Sequence, residues 1–162
     1  MNKLISFILL IFLSNSAFGL AKVKNDLTLL KNSFNNIKSI KASASEICLA
    51  KNLYYEARGN LDEQLLVGIV TLNRAHSNSD SFANTICGVI AQKNQFSWYK
   101  KSKRQKIHDM AAWHTALRAS KALMKHKDQI RSKFIYFHNK RIHPKWSKTM
   151  HTAYRSKGHV YY

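Results

Sequence analysis

Eight side-chain carboxylates are all that this 162-residue chain offers for acid-base work: Asp26, Glu46, Glu56, Asp62, Glu63, Asp80, Asp109 and Asp128. Glu46, Asp62, Glu63 and Asp109 stand where the first turns of helices are expected, and there a negative charge favours the N-terminal end of the dipole. Glu56 stands at the opposite place. It falls in the last turn of its expected helix, where a carboxylate is disfavoured by ~0.3–1 kcal/mol. Asn52 and Leu53, at i−4 and i−3, share its face, while the side chain of Arg58 points away. The pair Tyr54–Tyr55 precedes it. An apolar wall and an adverse dipole both push a glutamate from its ordinary ~4.3 toward the ~6 that suits a general acid. The plainer alternative is a salt-bridged surface glutamate, and the spacing alone leaves both open.

Other chemistries find less support. Eight histidines invite a zinc site, with His138 and His143, or His108 and His114, as ligands of an amidase cutting the sugar–peptide bond. No His-Glu-x-x-His or other metal-ligand spacing accompanies them. A Gly-x-Ser-x-Gly nucleophile elbow and a Gly-rich phosphate loop are also absent from the sequence. No cofactor is expected.

The elements that must position Glu56 are legible as periodic apolar stripes. Ser45 is expected to cap a helix over Glu46–Arg58, ended by Gly59 at C′. Asn60 or Asp62 then caps a second helix carrying Leu65, Leu66, Ile69, Val70 and Leu72 up to Arg74. Ser79–Ser81 opens a third segment with Ile86, Val89 and Ile90. A longer helix over Asp109–Lys127 presents Ala112, Ala116, Ala119 and Leu123. The five cations of Lys100–Lys106 read as an exposed loop. Phe134–Phe137 and Gly158–Tyr162, separated by Pro144, read as a small sheet or hairpin. Trp113 and Trp146 are expected in the core, and Asn73 is expected to satisfy buried backbone groups.

Residues 1–19 have the three parts of an export signal: Lys3, the apolar run Leu4–Leu13, and small residues with Ala17 and Gly19 placed for cleavage. An uncleaved anchor is the alternative, although ten apolar residues are too few to span ~30 Å of hydrocarbon. Residues 20–44 are basic, yet Leu27, Leu30, Phe34 and Ile37 keep helical spacing. They fit a docking helix, a membrane-surface helix or a tether. Residues 45–162 form the expected single domain. Export leads to the periplasm or cell wall, an oxidising destination in which a Cys48–Cys87 disulfide is expected, with two buried free thiols as the alternative. The net charge of +19 favours anionic partners. After export these are cell-wall polymers or a membrane surface, with no dedicated nucleic-acid partner, and a monomer is expected.

Three ordered blocks carry a resemblance. Cys48–Arg74, CLAKNLYYEARGNLDEQLLVGIVTLNR, resembles the core motif of the SleB-type cell-wall hydrolases, the family of spore cortex-lytic enzymes. Phe82–Trp98, FANTICGVIAQKNQFSW, looks like the second motif of that family. Tyr136–Tyr162 holds its aromatic-His, Pro-x-Trp and Gly-His-x-x-Tyr pattern. The family usually continues Glu-Ala-Arg-Gly with another acidic or amide residue and Glu-Gly-Gln. Here Asn60 follows and Asp62-Glu63-Gln64 replaces the tripeptide, which puts a second acidic group after Gly59 in doubt.

The resemblance implies an α+β fold, mostly helical and lysozyme-like, similar to lytic transglycosylases, with a small β element near the C-terminus. It implies cleavage of the β-1,4 bond between N-acetylmuramic acid and N-acetylglucosamine in peptidoglycan glycan strands. Glu56 is the expected acid and then base. A single carboxylate suffices when the substrate supplies the nucleophile, whereas ordinary glycosidases need two. Phe96, Ser97, Trp98, Tyr136 and His138 are the candidate sugar contacts, with Trp98 in the core as the alternative for that residue. The rivals are the zinc amidase and a non-enzymatic basic protein binding wall or nucleic acid.

Overall fold

The computed structural model describes residues 2–100 and 106–162, and for residues 2–17 and Lys100 the backbone alone. The export-signal reading therefore rests on side chains outside the described set. Most of the expected Lys100–Lys106 loop lies outside the described residues too. Six helices lead to a small sheet: α1 (Asn2–Asn36), α2 (Ala44–Ala57), α3 (Leu61–Ala75), α4 (Ile86–Ala91), α5 (Ser97–Lys100), α6 (Met110–His126), then strands β1 (Phe137–Asn139), β2 (Tyr154–Arg155) and β3 (His159–Tyr161). The result is the mostly helical α+β architecture expected from the sequence. No helix among the described residues is long and apolar enough to cross a membrane.

Local chemistry fixes the helix ends. The cap of α2 is Ser43, not Ser45: the Ser43 hydroxyl accepts the Glu46 N–H at 3.3 Å, and Glu46 Oε2 accepts the Ser43 N–H at 2.7 Å. That reciprocal pair satisfies two otherwise orphaned donors. Gly59, with φ +85°, turns the chain after α2, a backbone conformation that L side chains rarely adopt. Asn60 Oδ1 then caps α3 through the Glu63 N–H. Asp109 caps α6 through Ala112. The third segment starts later than the serines suggest, with Thr85 capping α4.

The core is built where α2, α3 and α6 meet. Leu49, Leu53, Leu65, Leu66, Ile69 and Leu123 are completely buried there. The stretch Leu20–Asn36 continues α1 and docks on this bundle through Val23, Leu27, Leu30 and Phe34, all buried. Ile37, expected on the same stripe, lies just past the helix end and packs partly buried against the core. Arg118 reaches across from α6 to donate to the Phe34 carbonyl at 2.9 Å. The Cys48–Cys87 disulfide ties α2 to α4 across 39 residues.

The sheet has the order β1-β3-β2, both pairings antiparallel. It begins later than the expected Phe134–Phe137. Residues 135 and 136 instead exchange backbone bonds with Tyr162 outside the strands. Asn73 on α3 donates to the carbonyls of Ser132 and Phe134 at 2.9 and 3.0 Å, holding the approach to β1. Trp146 departs from the expected core position. It is 38% exposed, because Pro144 opens a 3-10 turn (Lys145–Lys148) that carries the indole outward.

Candidate active site

A groove of about 680 Å³ runs between the helical bundle and the sheet. Its floor holds Glu56 from the end of α2 and Arg74 from α3. One wall is the 94–97 segment leading into α5. The other is formed by β1, β3 and the loop with Ile142, Pro144 and Trp146. The β1–β3 register sets Asn139 opposite His159, so both strands place a polar side chain on the groove. Among the lining residues Glu56 is the sole carboxylate.

Glu56 is half-buried at the negative end of the α2 dipole. Desolvation raises its pKa above the ordinary 4.5, and the charges of His159 and then Arg74 oppose that rise without cancelling it. No group among the described residues donates a hydrogen bond to its carboxylate. A carboxyl kept short of water and unpaired retains its proton more readily, and that is what a general acid requires.

Behind Glu56 the side chains are interlocked by hydrogen bonds and ring stacking. Asn52, one turn earlier on α2, donates to Thr71 Oγ1 at 3.1 Å and accepts the Trp98 indole N–H at 2.8 Å. The Trp98 ring stacks on Tyr55 with centroids 4.7 Å apart. Arg74 is buried, donates from Nε to the Ile135 carbonyl at 2.7 Å, and lies close to the rings of Phe82, Phe96 and Tyr136. Burial lowers its pKa to about 10, still far enough above neutrality to keep the guanidinium charged.

The expected sugar contacts divide. Phe96, Ser97 and His138 line the groove with Glu56, while Trp98 and Tyr136 do not. Phe96 is nearly inaccessible and serves as groove wall, whereas Ser97 is open to solvent. His138 has both ring nitrogens engaged inside the protein, with the Asn139 carbonyl at 2.9 Å and the Tyr162 hydroxyl at 2.9 Å. It therefore presents a ring rather than a free nitrogen. Trp98 packs on α2 through Asn52 and Tyr55, and Tyr136 packs between Phe82 and Trp146.

Arg74, Trp146 and His159 were not singled out by residue type. The Pro-x-Trp and Gly-His-x-x-Tyr patterns contain the last two, and those short motifs were the available signal. Glu63, assigned to a helix first turn, has a larger task. Its Oε1 accepts the Gly158 N–H at 2.7 Å, and its Oε2 meets His159 Nδ1 at 2.8 Å and the Tyr161 hydroxyl at 3.0 Å. Burial alone would push its pKa up, but these bonds, led by that from His159, hold it down at about 2. A Cβ at Gly158 would sit 3.3 Å from Glu63 Oε1, tighter than ordinary contact, so glycine allows this close approach.

A second cavity, of about 380 Å³, lies between α1 and the 131–134 and 151–153 segments. No Asp or Glu lines it among the described residues.

Comparison with known proteins agrees with this architecture. The catalytic domain of the Bacillus cereus SleB protein, known from a crystal structure, superposes with a TM-score of 0.55 at 25% identity, covering 75% of this chain and 91% of that one. No curated protein sequence matches the chain. The family model described as Cell Wall Hydrolase matches residues 59–162, beginning just after Glu56 and spanning Arg74, the whole sheet and most of the groove. With most of its length matched, the chain belongs to the cell wall hydrolase family, enzymes that act on peptidoglycan.

Proposed function

We propose that the protein cleaves the β-1,4 bond between N-acetylmuramic acid and N-acetylglucosamine as a lytic transglycosylase, with Glu56 as its acid and base. The observation that carries this reading is the isolation of Glu56: one half-buried carboxyl of raised pKa in an open groove lined by no other acid among the described residues. A retaining or inverting glycosidase sets a second carboxylate ~5–10 Å away. A transglycosylase draws its nucleophile from the substrate instead. Glu56 gives its proton to the bridging oxygen as the C1–O bond breaks. The carboxylate then takes the proton of the muramyl 6-hydroxyl as that oxygen bonds to C1, closing a 1,6-anhydro ring and restoring the acid.

Ser97, Asn139, His138 and Trp146 suit the recognition of a pyranose chain, combining polar groups with aromatic faces. The chain's excess of cations supports retention on anionic wall polymers after export. Both features are consistent with action in the periplasm or wall.

The test is mass spectrometry of purified sacculi digested with the wild type and with Glu56→Gln. Anhydro-muramyl ends from the wild type and none from the variant support the mechanism. Reducing muramyl ends would replace it with hydrolysis, and free amino groups would replace it with amide cleavage.

A further inference from the structure

The two histidines lining the groove, His138 and His159, are built differently. His159 stands on β3 with Nδ1 at 2.8 Å from Glu63 Oε2. Glu63 is an ionised, acceptor-only carboxylate, so the hydrogen of this bond belongs to the imidazole and lies on Nδ1. In the neutral ring the lone pair is then left on Nε2. That nitrogen makes no hydrogen bond to any described residue, although the ring lines the same groove as Glu56.

The ring is also fixed in place. Phe137 meets it edge-on with centroids 5.3 Å apart, and Tyr161 packs at 6.1 Å. Glu63 is held in turn by the Gly158 amide and the Tyr161 hydroxyl. A carboxylate with three donors, fixing the tautomer of a histidine whose other nitrogen is open to a groove, exceeds what pinning β3 to α3 requires. The Gly158 amide and the Tyr161 hydroxyl alone would do that. His138, by contrast, has no nitrogen left for a ligand.

We propose that His159, oriented by Glu63, is a second substrate-contacting residue of this groove, its Nε2 accepting a hydrogen bond from a hydroxyl or acetamido N–H of the N-acetylated sugar bound beside Glu56. The inference rests on the glycan-cleaving reading above and assigns His159 no covalent step. Its work is orientation: one fixed acceptor in the same groove as the acid selects the sugar rotation that brings the bridging oxygen to Glu56. Glu63 is a positioning residue acting through His159.

The test has two arms on the full-length protein. In the first, 15N-histidine NMR of the wild type reads the tautomer directly, and titration with the N-acetylglucosamine trisaccharide serves as the probe. The expected result is a His159 with its hydrogen on Nδ1, whose Nε2 resonance moves with the probe while Nδ1 stays. In the second, steady-state kinetics on soluble glycan strands compare three variants. His159→Ala should lose about 100-fold in kcat/KM, the scale of a misplaced reactant. His159→Gln, whose amide reaches the place of Nε2, should recover about tenfold of that loss. Glu63→Gln, whose amide oxygen is kept on the Gly158 N–H, presents its NH2 to Nδ1, forces the hydrogen to Nε2 and should lose activity with His159 still in place.

A wild-type tautomer with the hydrogen on Nε2, or an Nε2 resonance unmoved by the probe, overturns the proposal, and so does a His159→Ala enzyme as active as the wild type. The NMR arm decides even if His159→Ala fails to fold. An inactive Glu56→Gln beside a fully active His159→Ala rejects this inference alone, whereas a fully active Glu56→Gln rejects the reading on which it rests.

Discussion

The backbone amide of Ser132 donates to the carboxylate of Asp26 across 106 positions of sequence, at 2.8 Å. The Arg131 amide joins it at 3.0 Å to the other oxygen. Asp26 is buried on α1, so this one side chain welds the N-terminal helix to the segment that leads into the sheet. Replacing it with alanine leaves two amide donors without partners, at ~1–3 kcal/mol for each buried one. Asp26→Ala should therefore lower the free energy of unfolding in urea by about 2 kcal/mol or more, and Asp26→Asn by less, since one carbonyl oxygen remains. An alanine variant with an unchanged midpoint would mean that the Asp26 contact adds nothing to the docking of α1.

What the sequence made legible was local, and what it hid was distant. Asn60, Asp109 and Gly59 act within three or four residues of themselves, so their capping roles followed from type and spacing. The misplaced cap of α2 was also decidable locally. Ser43 has Glu46 three residues on, while Ser45 has Cys48, which cannot reach back to complete a capping box. By contrast, Glu63 and His159 meet across 96 positions, and no periodicity links an α3 residue to a β3 residue. The helix dipole accounted for Glu63 so adequately that its second role left no trace. Trp146 is expected in the core because a large aromatic is mostly buried, and the turn after Pro144 that exposes it depends on tertiary packing. Glu56 stands out as a candidate because its position violates a local rule, and such violations tend to fall at functional sites; the structure places it in the groove.

The Cys48–Cys87 bridge closes a 39-residue separation between α2 and α4. On the chain-entropy model a loop of that size stabilises by about 4 kcal/mol. The double variant Cys48→Ser/Cys87→Ser should lose stability on this scale and unfold at lower denaturant, and the wild type under a reducing agent should approach the same midpoint. Equal midpoints for oxidised and reduced wild type would remove the disulfide from the stability of the domain.

Glu63 makes a prediction with a definite pH window. Its native pKa of about 2 lies below the ordinary 4.5, so the folded state binds this proton less readily than the unfolded chain. The stability contributed by Glu63 is then fully present above pH 4.5 and lost as pH falls from there toward 2. Glu63→Gln removes the charge facing His159. It should be less stable than the wild type by about 3 kcal/mol at neutral pH, the upper scale of a hydrogen bond to a charged group, with the two converging near pH 2. Guanidinium melts of both proteins at pH 7, 4.5 and 3 measure the gap. A gap independent of pH would mean that the carboxylate charge plays no part.

Glu56 has the opposite sign, and the consequence separates stability from activity. Desolvation holds its pKa above 4.5, so the native state binds this proton more readily than the unfolded chain. The protonated side chain favours folding below pH 4.5, and that advantage is lost as pH rises through the native pKa. Above it the wild type carries a poorly hydrated charge at the wrong end of a helix dipole. Glu56→Gln keeps the shape and removes that charge. At pH 8 it should be more stable than the wild type by about 1 kcal/mol, the common scale of a single stabilising substitution, and the gain should vanish below pH 4.5. Activity should move the other way. The variant should lose about 1,000-fold in kcat, within the range supplied by a positioned acid, and the wild-type kcat/KM should fall on the alkaline side with a midpoint above 4.5. Thermal melts across pH, set beside the rate profile, test both halves together: a variant that is inactive but no more stable at pH 8 would show that Glu56 is adequately solvated in the folded protein, leaving its proton without the environment that an acid catalyst needs.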